Sequence, residues 1–180
     1  EKAAIASSML TDFGDEHIEE PLQLLVNIGE SIQTLRPSGK VSFWNTLIAN
    51  ASQRLLIVDY IKWNPEVHNI DIKSPIIIAG QPRTGTTHLH NLIASDPSLR
   101  SLQYWESLEP VPPKDEQGKS FAVDPRYKRT ESTLAGLNYA LPYFKRMHDM
   151  YAAHVHEEIQ LMMPAFGSML WETSLCDSRY

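Results

Sequence analysis

An α/β fold, a parallel sheet with flanking helices preceded by a helical portion, is what this sequence predicts. Three observations predict it. Residues 1–72 hold two long stretches with apolar residues at helical spacing. Residues 75–80, PIIIAG, then form a short β-branched run without a polar side chain, the pattern of a strand buried on both faces of a parallel sheet. A tight glycine-containing loop and a further helical pattern follow at once, an arrangement that binds anions. The expected division is a helical portion at 1–72 and an α/β domain at 73–180.

The elements follow in order. In the first helix, 19–35, Leu22, Leu25, Val26, Gly29 and Ile32 recur along one stripe, and Pro21 suits the first turn. RPSG at 36–39 breaks it. A second helix is expected from Ser42, a suitable N-cap, to about Lys62, with Phe43, Leu47, Ala51, Leu55 and Val58 inward. WNP at 63–65 ends it. After the PIIIAG strand and its loop, a helix is expected from Thr86 to about Ala94, with Leu89, Leu92 and Ile93 inward. SDP at 95–97 stops it, and a short strand is expected near 100–104. EPVPPKDEQGK at 109–119 reads as a loop. Helical patterns resume at about 127–141 and 147–162. No internal repeat and no low-complexity segment is present.

Bulk properties narrow the function classes. A net charge of -6 on 180 residues argues against a general nucleic-acid binder. Cys176 is the only cysteine, which excludes an internal disulfide and points to a reducing, cytoplasmic compartment. No apolar run approaches the ~20 residues that a membrane helix needs. The sequon Asn50-Ala51-Ser52 falls inside a helical pattern and is read as chance. The chain lacks an initiator Met and ends at CDSRY without a stopping signal, so a piece of a longer protein is expected. Nothing in the sequence sets the oligomeric state.

The loop IIIAGQPRTGTTHLH, residues 76–90, carries the chemistry. The first turn of a helix offers unpartnered N–H groups and the positive end of the macrodipole. Gly85 lets the backbone approach a ligand, and the hydroxyls of Thr84, Thr86 and Thr87 add donors. Arg83 adds a charge and a fork matched to a tetrahedral oxyanion. Gly80, Gly85 and Thr87 fit the Walker A pattern, but Thr86 stands where its lysine must be. That lysine serves the β- and γ-phosphates, so its loss argues against an ATP or GTP hydrolase. The loop suits a nucleotide whose reactive group hangs directly from a 5′-phosphate.

GQPRTGTTHLHNLIASDP resembles the 5′-phosphosulfate loop of PAPS-dependent sulfotransferases, P-[KR]-[ST]-G-[ST]-[ST], in the arginine version of the bacterial family-3 branch. QRLLIVDYIKWNPEV before the loop, and DPSLRSLQYWESLEPVPP and DPR after it, are similar to the same branch. The resemblance implies a P-loop-like α/β fold and transfer of a sulfuryl group from PAPS to the hydroxyl of a small or lipid-like acceptor. It implies that the amides of Thr84 to Thr87 and the hydroxyls of Thr86 and Thr87 hold the 5′-phosphosulfate. It gives Arg83 the task of stabilising charge on the bridging oxygen, and no metal. The base is implied just beyond the next strand, where Glu106 is the first choice and Glu109 the second. The family's 3′-phosphate site, an arginine and a serine on a later strand–helix unit, has no copy here. A P-loop nucleotide kinase, and a nucleotide-binding module without catalysis, are the alternative readings.

Weaker constellations stand outside the loop. HVHEEIQLMM at 154–163 holds His154, His156, Glu157 and Glu158, with His154 and Glu158 on one face of the expected helix. Gln160 spoils an H-E-x-x-H pattern, and two candidate ligands make no metal site. This face is read as polar surface with a possible share in the acceptor pocket. His88 and His90 point to different faces of the loop helix. MMPAFGSMLW at 162–171 is read as core.

Overall fold

The computed structural model describes residues 1–14, 16–33, 35–81, 84–146 and 150–175. Its named elements are helices: α1 (Lys2–Ser8), α2 (Glu19–Ser31), α3 (Pro37–Trp63), α4 (Thr86–Ala94), α5 (Tyr104–Leu108), α6 (Pro125–Ala140) and α7 (Met169–Leu175), with short 3₁₀ turns between them. The chain divides into two compact units, one of Glu1–Pro65, Pro110–Gln117 and Ile159–Tyr180, the other of Glu66–Glu109 and Gly118–Glu158.

The expected parallel sheet is overturned. Among the described residues the one β pairing is an isolated antiparallel bridge between Gln103 and Val155. PIIIAG forms no ladder, and Ile76 and Ile77 are 60% and 81% exposed. The run has the composition of a buried strand, but a strand also needs a neighbour to take its N–H and C=O groups. Among the described residues nothing pairs with it. The strand expected near 100–104 shrinks to the Gln103 bridge, because α5 starts at Tyr104.

The first unit is a helical assembly. Acidic Glu19 and Glu20 in the first turn of α2 complement its macrodipole. α2 ends at Ser31, with Ile32 extended after it, and not at RPSG; RPSG instead starts α3, where Pro37 takes the first helical position and Arg36 is held extended before it. Ser42 therefore lies inside α3 and is not its N-cap. Phe43, Leu47, Ala51 and Leu55 are buried as expected, while Val58 is only partly covered. Their stripe packs with Leu25, Ile28 and Ile32 of the α2 region. Gly29 is required here by space, since a Cβ would sit 2.3 Å from Phe43 Cε1. MMPAFGSMLW contributes Met163, Phe166 and Trp171 to the same core, with Trp171 edge-on to Phe43 at 6.1 Å. Burying Leu25 and Leu55 completely contributes roughly 1.5–3 kcal/mol each.

The second unit carries α4, α5 and α6. Asp124 caps α6 by accepting from the amide of Arg126 at 2.9 Å, and Pro125 fills the first helical position. The helix expected at 147–162 is not formed where the chain is described; 147–149 lie outside the described residues. Its backbone is engaged elsewhere. The Tyr104 amide donates to His154 O at 2.8 Å, the Trp105 amide to Ala152 O at 3.1 Å, and the His156 amide to Leu102 O at 2.9 Å. The shared helical face of His154 and Glu158 goes with that helix. α4 spans its expected residues, but Leu89 and Leu92 are 46% and 62% exposed and do not point into a core. No helix among the described residues is long and apolar enough to cross a membrane.

Candidate functional site

The loop enters α4 through Gly85, whose φ of +92° only glycine adopts freely. Among the described residues no side chain caps the helix, and the N–H groups of a first helical turn have no intrahelical partner. A Cβ on Gly85 would meet nothing within 4 Å, so this glycine answers to the backbone angle. Gly80 answers to space, because a Cβ there would lie 2.8 Å from Thr86 Cγ2. The sequence-expected residues Thr84 and Gly85 are exposed, and Thr86 and Thr87 are half-exposed. The Thr84 hydroxyl donates to Gln81 O at 2.6 Å, which commits its single proton. The Thr87 hydroxyl lies 3.4 Å from Glu157 Oε1, as donor. Arg83 lies outside the described residues.

Glu106 is the third residue of α5 and closes its capping box with Gln103. Its Oε2 accepts from the Gln103 amide at 3.0 Å, and its Oε1 accepts from Arg100 Nη2 at 2.8 Å. Both oxygens are therefore engaged on a largely covered side chain. Glu109 ends α5 and is gripped by Arg129, whose Nε and Nη2 donate to it at 3.0 and 2.6 Å. The structure thus puts Glu106 and Glu109 on one short helix and gives each a different cation.

A web that the sequence did not disclose ties α5 to the start of α6. Arg126 donates through Nη1 to Glu109 O at 2.8 Å and through Nη2 to Asp124 Oδ2 at 2.8 Å, while its guanidinium stacks 4.7 Å over Trp105. Trp105 Nε1 donates to Gln103 Oε1 at 2.7 Å. The hydrogen bond from Arg126 holds the Asp124 carboxyl below the usual aspartate range. Burial pushes the Tyr104 hydroxyl up. The Gln103–Glu106 pair had a local signal, its three-residue spacing with glutamate at the third helical position. Arg129 stands twenty residues from Glu109, and no periodicity links them.

The 151–157 segment completes the unit. Its backbone bonds to 102–105 fix it, Ala152 N donates to Glu131 Oε1 at 2.8 Å, and the His156 ring meets Tyr104 edge-on at 4.7 Å. Glu157 of this segment meets the loop helix at Thr87. No group of three or more His, Cys, Asp and Glu among the described residues is placed to hold a metal ion. His88 is exposed and His90 partly so. A concavity lined by Leu10, Asp12, Leu55, Asp59 and Lys62 belongs to the helical unit and contains none of these residues.

Residues 75–179 match the model of the Sulfotransferase family. No curated protein matches the chain. The fold is similar to the crystal structure of sulfotransferase STF1 from Mycobacterium tuberculosis H37Rv, with a TM-score of 0.73 and 25% identity, over 99% of this chain and 50% of that one. It is also similar to sulfotransferase STF9 from Mycobacterium avium, with a TM-score of 0.78 and 24% identity, over 96% of this chain and 44% of that one. The chain therefore spans about half the length of the sulfotransferases it matches.

Proposed function

We propose that this chain, which belongs to the sulfotransferase family, carries the donor-binding part of an enzyme that moves a sulfuryl group from PAPS to a hydroxyl acceptor. The observation that carries this reading is the entry into α4. An uncapped helix start, reached through a positive-φ glycine and bearing Thr86 and Thr87 in its first turn, lies within the family-matched span. Such a start binds a doubly charged oxyanion through amides, hydroxyls and dipole together.

In this reading the amides of Thr84 to Thr87 and the hydroxyls of Thr86 and Thr87 hold the 5′-phosphosulfate. The acceptor oxygen attacks sulfur in line, the S–O bond to the bridging oxygen breaks, and adenosine 3′,5′-bisphosphate leaves. Arg83, as the arginine version of the loop implies, neutralises charge developing on that bridging oxygen. The base that takes the acceptor proton is Glu106 by resemblance. Its carboxylate would have to give up Arg100 or its cap bond to do so. A small or lipid-like hydroxyl compound is the proposed acceptor class, and the lone Cys176 supports a reducing, cytoplasmic setting.

Calorimetric titration of the protein with adenosine 3′,5′-bisphosphate and with ATP–Mg²⁺ tests the reading. The bisphosphate is expected to bind without metal and more tightly than ATP–Mg²⁺. The opposite preference would favour a kinase.

A further inference from the structure

We infer that Arg126 is the positioning residue for Glu106, an inference that rests on the reading of Glu106 as the base. The need for such a residue comes from the length of α5. A helix of five residues, Tyr104–Leu108, is far below the ~12 at which an isolated helix begins to hold its own shape in water. Contacts from outside must therefore fix the direction of its third residue, Glu106. At its start, the backbone bonds to 152–156 and the bridge between Gln103 and Val155 do this. Beyond its start, α6 supplies the contact.

Arg126 touches α5 at two points. Its Nη1 donates to the carbonyl of Glu109, the residue that ends the helix, at 2.8 Å. Its guanidinium carbon lies 4.7 Å from the centre of the Trp105 ring, and Tyr127 meets the same ring edge-on at 6.4 Å. Trp105 directly precedes Glu106 and passes the constraint on. Its Nε1 donates to Gln103 Oε1 at 2.7 Å, and the Gln103 amide holds Glu106 Oε2 at 3.0 Å. Arg126 is itself immobilised by Asp124, whose two oxygens it meets at 3.1 and 2.8 Å. The DPR sequence at 124–126 is thus a helix cap and a strut together.

Two arginines therefore serve Glu106 in different ways. The Arg100 side chain is 72% exposed, so water weakens its hold on Glu106 Oε1 and replaces it at small cost. The Arg126 side chain is 13% exposed and stays in place. When Arg100 gives way, Oε2 remains on the cap and Oε1 is open to the acceptor's proton. Arg126 touches neither oxygen. It acts by keeping Trp105, Gln103 and the end of α5 where Glu106 can be used.

The test uses PAPS with phenol and 1-octanol as probe acceptors, and turnover is read per folded molecule. Arg126→Lys keeps the charge but removes the flat fork and the stack. It is expected to slow transfer on the order of 10-fold or more, with bisphosphate affinity close to wild type. Trp105→Phe keeps a ring and removes the N–H donor, and is expected to slow transfer in the same way by a smaller factor. Lys128→Gln, at an exposed position of the same helix, is expected to change neither. The deciding comparison is made in Glu106→Gln, which alone costs on the order of 10²-fold. Adding Arg126→Lys there is expected to cost less than about twofold more, because a residue acting through Glu106 has nothing left to position. The same loss in both backgrounds overturns the proposal, since it marks a general structural role. Unchanged turnover in Arg126→Lys also overturns it. If Arg126→Lys does not fold, Trp105→Phe decides by the same comparison. If Glu106→Gln turns over as wild type, the proposal falls while the sulfotransferase reading stands. A wild type that binds the bisphosphate but sulfates neither probe overturns the proposal and leaves the donor site standing. One that does neither removes both.

Discussion

Arg129 of α6 closes a two-point fork on the carboxylate of Glu109 at the end of α5, at 3.0 and 2.6 Å. This pair joins two helices and gives Glu109 a structural task. Arg129 is 40% exposed and Glu109 is 23% exposed, so water screens part of the attraction. Glu109→Gln is expected to cost about 1 kcal/mol, read as a lower urea midpoint. Turnover per folded molecule should stay near wild type. A large drop in turnover with unchanged stability would move Glu109 into the chemistry.

The loop cation is the second prediction. Arg83→Ala is expected to reduce sulfuryl transfer on the order of 10²-fold or more, as loss of an oxyanion donor does. Donor affinity should fall less, because the amides and hydroxyls of 84–87 still hold the anion. Near-normal turnover in this variant would sink the electrostatic role of Arg83.

The third prediction concerns acid. Asp124 caps α6, and Arg126 holds its carboxyl below the ordinary value of about 3.9. A depressed folded pKa means the unfolded chain binds the proton first. The contribution is therefore complete above the ordinary aspartate range and is lost as pH falls through the lower, folded value. Asp124→Ala is expected to cost about 1 kcal/mol near neutrality. Its stability curve should converge on the wild-type curve only in strong acid. Parallel curves down to the lowest pH would show that Asp124 stays charged or is unlinked to folding.

A fourth prediction separates the two enzyme classes that the loop sequence allows. Thr86 stands where a P-loop lysine would be, and no strand aspartate nearby in the sequence is suited to magnesium. Transfer is expected to survive EDTA. Strict dependence on Mg²⁺ would revive the kinase reading.

What was legible in the sequence was local. α4 was read to its residues because a glycine loop, a threonine pair and a Ser-Asp-Pro stop bracket it. The stripes of α2 and α3 were legible because helical period survives in their buried faces. Long-range needs were not legible. PIIIAG has strand composition, but composition cannot supply the partner that a ladder requires. The 147–162 pattern has helical period, yet the described backbone there bonds to 102–105 instead. At the candidate site, the Thr residues and Gly85 were visible as a motif. The partners of Glu106, Glu109 and Glu157 were not, since Arg129 and Thr87 lie 20 and 70 residues away from theirs.

The last prediction separates two reasons for glycine in one loop. Gly85 has φ +92° and open space around its missing side chain. Gly85→Ala therefore costs backbone strain, roughly 1–2 kcal/mol. Part of that cost can be relieved by shifting the loop out of the conformation that meets the anion. Bisphosphate binding should weaken along with stability. Gly85→Asn should recover part of both, because asparagine tolerates the left-handed region better than alanine. Gly80 differs. Its new methyl would press on Thr86 Cγ2 at 2.8 Å and on Thr84 Oγ1 at 3.1 Å. Gly80→Ala should therefore displace the threonines, and Gly80→Ser should be no better, since the clash begins at Cβ. Calorimetry with the bisphosphate, paired with urea unfolding, reads both effects. If Gly85→Ala binds as wild type while Gly80→Ala does not, the positive φ at Gly85 is not part of the binding conformation. If both bind as wild type, the start of α4 is not where the donor's anion sits.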